Sequence, residues 1–232
     1  MTWTSLRCTS DIHIESKEAN KMIKTLFLVF ALTSLNAKAE AVNDARYNFL
    51  EVGYSHIDAG KVGSEDRVWY GPHLKISKSV SDQVYLQGYV YSVAADETTS
   101  EYSQVSYEAS IQSRFEISGS SDLHYGIGYM DYTLDARNKS SGSKASIHGR
   151  HLIYKLGVNH EFSDGWVADL EFQHFPEISD VGFDYNHTSI QVTKTISETI
   201  SAGVSLGQID PINVDGIDRN TTASAFVRYT WK

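Results

Sequence analysis

The sequence predicts an all-β fold, a closed antiparallel up-and-down transmembrane barrel of about ten strands, with eight as the alternative count. Three observations predict it. From Tyr47 onward, apolar and polar side chains alternate with the period of a strand that has two unlike faces. Long connections rich in Asp, Gly, Ser, Asn and Lys alternate with short ones. The polar faces mix charges of both signs with glycines, a composition suited to a narrow interior.

The opening residues stand apart from this pattern. Leu26–Leu35 is the one long apolar run, about half the ~20 residues a spanning helix needs, and the mean hydropathy of −0.31 excludes a helical membrane bundle. It follows Met22-Ile23-Lys24 and leads into Ala37-Lys38-Ala39, so 22–39 reads as a secretory signal with cleavage specified by Ala37 and Ala39. Residues 1–21 read as an upstream extension, and 40–232 as the barrel domain. The single cysteine, Cys8, lies outside that domain, so the domain has no disulfide, thiol nucleophile or thiolate metal site. A net charge of −9 argues against nucleic acid.

Strands are expected near 47–56, 67–78, 83–93, 104–117, 122–133, 150–162, 166–175, 184–195, 199–208 and 221–232. Long links are expected at 57–66, 94–103, 134–149, 176–183 and 209–220, and short turns at 79–82, 118–121, 163–165 and 196–198. Val105, Tyr107, Ala109, Ile111 and Phe115 oppose Ser106, Glu108, Ser110, Gln112 and Arg114. Ile200, Ala202, Val204 and Leu206 likewise oppose serines and glycines. The alternation leaves the orientation of 83–93 open, since tyrosines fill one face and Val84, Leu86 and Val90 the other. Pro72 lacks a ladder donor, and a bulge is expected there.

Alternation alone permits a soluble lipocalin-like barrel with its apolar face inward. The lipid-facing orientation is favoured by glycines and paired charges on the polar faces. A second support is the placement of Tyr54, Trp69, Tyr70, Tyr129, Trp166, Tyr185, Tyr229 and Trp231 towards strand ends, where aromatic girdles lie. In this orientation Glu51, Lys75, Glu108, Arg114, Glu116, Lys155, Glu161, Asp169, Glu171 and Arg228 form a charge network in the lumen. Such a network either lines a narrow channel or fills the interior with salt bridges, and side chains of this size favour filling.

Two further candidates concern chemistry. Asp131, Asp135, His148 and His151 flank the longest link, and His174 and Asp180 the next; a surface enzyme would need them to converge at the mouth. Arg137, Lys139 and Lys144 suit lipopolysaccharide phosphates, or simply a solvated loop. No spacing indicates a metal site or other cofactor.

The run Tyr47-Asn48-Phe49-Leu50-Glu51-Val52-Gly53-Tyr54 and the closing strand with Val227, Tyr229 and Trp231 carry a family resemblance. Over 45–232 the chain resembles the small outer-membrane β-barrel proteins of Gram-negative bacteria, the OmpA-like transmembrane-domain group in the broad sense. Its departure is Lys232 after Trp231, where the group ends on an aromatic. The resemblance implies an outer-membrane location with both ends periplasmic, and a monomer with a non-enzymatic structural or surface-interaction role. It implies contact with membrane lipid and lipopolysaccharide. It also implies periplasmic chaperones and a barrel-assembly machinery that reads Val227, Tyr229 and Trp231. The alternatives are a narrow channel, a surface enzyme and the soluble barrel.

Overall fold

The computed structural model describes residues 46–62, 65–162, 165–179, 183–212 and 219–231. The proposed cleavage residues Ala37 and Ala39, and the division of 1–39 into extension and signal, lie outside the described residues. Ten strands follow one another: β1 Phe49–Val62, β2 Glu65–Ser79, β3 Val84–Asp96, β4 Ser100–Ser118, β5 Ser121–Asn138, β6 Lys144–Glu161, β7 Trp166–Phe175, β8 Tyr185–Thr195, β9 Ile200–Pro211 and β10 Asn220–Thr230. Each pairs antiparallel with its sequence neighbours, and β10 closes on β1 from Phe49↔Thr230 to Asp58↔Thr221. The barrel is therefore complete and has ten strands, not eight.

Burial settles which face is inside. Along β6 the inward His151, Ile153, Lys155, Gly157 and Asn159 are buried, while Tyr154, Leu156 and Val158 are exposed. The same inversion runs round the wall, with Phe115 at 64% exposure and Leu206 at 60%, against 3% for Glu51. A soluble barrel would show the reverse, because burial of apolar area is what would hold it together in water. β3, left open by its alternation, turns Tyr85, Gln87, Tyr89 and Tyr91 inward, in register with Lys75 and Ser77 of β2. Among the expected girdle aromatics, Trp69 and Tyr185 point into the lumen instead. The outer wall keeps Tyr54, Tyr70 and Tyr129 towards one margin and Trp166, Tyr229 and Trp231 towards the other.

Strand length departs from the expected links. The segments 57–66, 94–103 and 134–149 are mostly strand, joined at 63–64, 97–99 and 139–143. Alternating polar residues above a membrane look like loop in a sequence, yet they pair as well as apolar ones. The tips are tied by Asn138, whose Oδ1 accepts from the amides of Ser140 and Ser141, and by Lys139, which bridges to Asp96. The described residues of 176–183 lie outside the ten strands, whereas of 209–220 residues 209–211 and 220 belong to β9 and β10. Pro72 makes no bulge: β1–β2 register runs straight through Tyr54↔Pro72, whereas the β2–β3 ladder has no pairs between Tyr70↔Ala94 and His73↔Tyr91. The missing N–H removes a bond without adding a residue. A register shift lies instead between Asp58 and Lys61, where Gly60 adopts φ 68° and its amide donates to Asp58 Oδ1 at 2.9 Å.

Candidate functional site

The lumen is where the sequence places its charges, and three layers fill it. The middle layer is ionic. Arg228 donates to Glu51 Oε2 through Nη2 at 2.7 Å and Nε at 3.2 Å, and its guanidinium lies 3.8 Å over the Phe49 ring. His73 approaches the other Glu51 oxygen at 3.5 Å and contacts Ser55 Oγ at 2.8 Å through its second nitrogen. Lys155 bridges to Glu108 and donates to Gln87 at 3.2 Å; Gln112 donates to Gln87 at 3.1 Å and accepts from Tyr85 at 2.7 Å. His124 lies 3.2 Å from Asp169 and 4.0 Å from Glu171. Buried charges are tolerable only when paired and hydrogen-bonded in this way.

Glycines make this crowding possible. Gly53 stands opposite His73, Gly157 opposite His124, Gly149 opposite Tyr132 and Gly203 opposite Phe226. A Cβ at any of these four would sit 2.3–2.5 Å from the facing ring. Each glycine is thus the seat of a ring from the neighbouring strand. Gly126 and Gly128 leave the inner wall of β5 low, so that Lys155 reaches across it from β6 to Glu108 on β4.

The layer nearer the long strands is apolar. Met130, Ile153 and Phe175 pack with Tyr132 and Tyr185, and Ile153 has 0% exposure. Phe175 and Tyr185 stack at 4.4 Å, and His151, 5.1 Å from Tyr185, lies 3.2 Å from Glu177. The third layer closes the short-turn end with the residues that precede β1. Tyr47 OH donates to Asp122 at 3.0 Å, its carbonyl accepts from Ser77 Oγ at 2.9 Å, and Arg114 lies 4.6 Å over its ring. Arg46 pairs with Asp122 at 3.0 Å.

Of the charges expected in the lumen, Glu51, Arg228, Glu108, Lys155, Asp169 and Glu171 take part in these contacts. Glu116 and Glu161 share the inward parity but stand exposed at the short-turn rim, where the strands end and the wall no longer encloses them. Arg114 also sits near that rim, donating to the Asp82 carbonyl at 2.5 Å. Lys75 lies in register between Glu51 and Tyr89. Sequence reasoning placed Gln112 on a polar face but left it out of the charge network, as it did His73, His124 and Gln87, although each shares parity with a recognised charge. It had no signal for Tyr47 as a stopper or for the Met130–Ile153–Phe175 layer, whose residues read as ordinary wall.

The enzyme candidates separate. His148 lies 3.3 Å from Asp131 and 3.4 Å from Thr133 Oγ1 on the outer wall, while His151, three residues on, faces the lumen. His174 contacts Asn186 at 2.9 Å, away from both. Asp180 lies outside the described residues. Asp131 and His148 thus meet on the outer wall, whereas His151 stands on the inner one. Among the described residues no three His, Cys, Asp or Glu side chains are grouped to hold a metal ion.

An apolar exterior, a paired polar interior and complete closure together define a transmembrane β-barrel. By sequence the chain matches no protein-family model and no curated protein. By structure it is similar to the translocator domain of autotransporter NalP from Neisseria meningitidis, with TM-score 0.43 and 11% identity over 96% of this chain and 100% of that one. It is also similar to Ail, the attachment invasion locus protein of Yersinia pestis, with TM-score 0.41 and 12% identity over 79% and 97% of the two chains. The NanC porin gives TM-score 0.48 and 10% identity over 78% and 100%.

Proposed function

We propose that this protein is a structural and surface-interaction barrel of the Gram-negative outer membrane, with a filled lumen and no enzymatic activity. The short-turn end and both ends of the barrel domain face the periplasm, and the long strands project outside. Val227, Tyr229 and Trp231, outward along β10, are what the barrel-assembly machinery reads after periplasmic chaperones deliver the chain. The barrel works as a monomer. Arg150 and His148, on the wall just beyond Tyr129, meet lipopolysaccharide phosphates through charge-assisted bonds.

One observation carries the choice of a filled barrel over a channel. Tyr47, the Glu51–Arg228 and Glu108–Lys155 pairs, and the Met130–Ile153–Phe175 cluster succeed one another across the lumen, all of them buried. An ion crossing would have to break buried pairs and displace packed rings in turn. Purified protein in planar bilayers is expected to show no conductance steps. A variant with both stoppers trimmed, Tyr47→Ala with Phe175→Ala, is expected to show brief openings. Steady conductance from the unaltered protein, with selectivity changed by Glu108→Gln, would establish the channel instead.

A further inference from the structure

Charge on the outer wall is sorted by height. Outward carboxylates such as Asp58, Asp131, Asp135 and Asp210 stand in the long-strand half. At the short-turn end the outward bases are Lys78, His160 and Lys194, and among the described residues no outward strand carboxylate accompanies them. Acids of that height, Glu116, Asp122, Glu161 and Asp169, lie on the inward parity, and Asp82 and Glu198 are exposed in the turns beyond the wall. Two of the three bases are engaged: the Lys194 ammonium lies 5.2 Å from the Trp166 ring centroid, and His160 Nδ1 lies 2.7 Å from Ser121 Oγ. Lys78 makes no hydrogen bond or ion pair with a described residue.

The surroundings of Lys78 run from polar to apolar along the wall. Asn48 lies between β2 and the end of β10: its Oδ1 accepts from Ser79 N at 3.0 Å, and its carbonyl accepts from Trp231 N at 3.2 Å. Lys78 and Trp231 therefore flank Asn48 at two strand spacings, roughly 10 Å. Asn48 is buried, tucked against β2, so it forms a low polar step between them. Towards the middle of the wall Ile76 and Tyr229 flank Leu50, and Leu74 and Val227 flank Val52. The Tyr229 and Trp231 rings, 6.5 Å apart, supply the amphipathic flank suited to a headgroup level. The chain before β1 turns away from this row, since Tyr47 and Arg46 both reach Asp122 inside the lumen.

We propose that an anionic phospholipid of the periplasmic leaflet binds across β2, β1 and β10, with its phosphate on Lys78. Its headgroup lies over Asn48 beside Trp231, and an acyl chain follows Leu50 and Val52. A lipid seated there covers the seam at which the last strand closes on the first, and so holds Trp231 against Asn48. An anionic headgroup is selected because a zwitterionic one brings its own cation close to Lys78, with no outward carboxylate to receive it. The site lies at the opposite end of the wall from Arg150 and His148, and it takes a phospholipid rather than lipopolysaccharide. It rests on the lipid-facing wall and on the periplasmic placing of the short turns.

The test is native mass spectrometry of the full protein in neutral detergent, titrated with phosphatidylglycerol or phosphatidylcholine. One retained phosphatidylglycerol is expected, held about fivefold more tightly than phosphatidylcholine, the factor equivalent to the ~1 kcal/mol that one lysine contributes near an anionic surface. Lys78→Gln is expected to bring the two lipids level, and Lys78→Arg to keep the preference. Lys194→Gln, at the same height, is expected to leave it unchanged. Excess inorganic phosphate is expected not to displace the lipid, because the acyl chain shares in the binding. Amide exchange at Trp231 should slow with phosphatidylglycerol in the unaltered protein but not in Lys78→Gln. Equal retention of the two lipids by the unaltered protein would overturn the proposal, whatever the variants do. So would a preference lost equally in Lys78→Gln and Lys194→Gln, which would make the attraction diffuse, or displacement by phosphate, which would make the ligand a free anion. Heat-modifiable gel migration separates the failures, since its loss brings down the barrel assignment as well, whereas its retention confines the failure to this site.

Discussion

Lys155→Met tests whether the lumen is held by paired charges. Lys155 and Glu108 have side-chain exposures of 2% and 7%, and Gln87 also accepts from the ammonium group at 3.2 Å. Removing the cation leaves the buried carboxylate, opposite Met130 in the sheet, without its ammonium partner. Breaking a buried pair at one partner costs about 3–5 kcal/mol, whereas replacing both by apolar groups of similar volume is often neutral. Lys155→Met is thus expected to lower the folding equilibrium constant by about two to three and a half decades, at ~1.4 kcal/mol per decade. Lys155→Met combined with Glu108→Met is expected to recover most of that loss. The assay is reversible urea unfolding into phospholipid vesicles, followed by tryptophan fluorescence and checked by gel migration. If the single variant loses under about 0.5 kcal/mol, the range of an ordinary surface change, the lumen is wet and the pair is not buried in solution. A double variant no better than the single would show that Glu108 is not the group left stranded.

Other expectations follow from the wall. Leu206→Arg places a cation on the lipid face and should destabilise the vesicle-inserted barrel by about 2–4 kcal/mol, while Ser205→Arg, inward, should not report the lipid cost. Gly157→Val forces a side chain against the His124 ring and the Leu170 carbonyl, so it should lower stability by about 1–3 kcal/mol, and His124→Ala should relieve part of that in a double-mutant cycle. Trp231→Asp should reduce the amount of protein in outer-membrane fractions without lowering synthesis; normal assembly would count against the role given to β10.

The lumen was legible in part. Parity along each strand marked Glu51, Glu108, Lys155 and Arg228 as sharing one face, because strand geometry fixes the side of the sheet on which a side chain stands. Parity says nothing of height, however. Glu116 and Glu161 obey it and yet stand in solvent, two or three residues beyond the ring of partners. The histidines were visible letters without a visible role, since the approach of His124 to Asp169 crosses from β5 to β7, with β6 between them.

By itself the sequence determined an antiparallel barrel of about ten strands with oily residues on one face, because a period of two is local and needs no knowledge of distant neighbours; the structure fixed the count at ten. It also determined the strand order, since short connections join antiparallel neighbours. Only the tertiary structure decided which way β3 faces, how far β4, β5 and β6 rise, and which charges meet. Those outcomes depend on register and shear summed round the whole wall, and on a ring from one strand finding a glycine on the next. No window of a single strand contains that information.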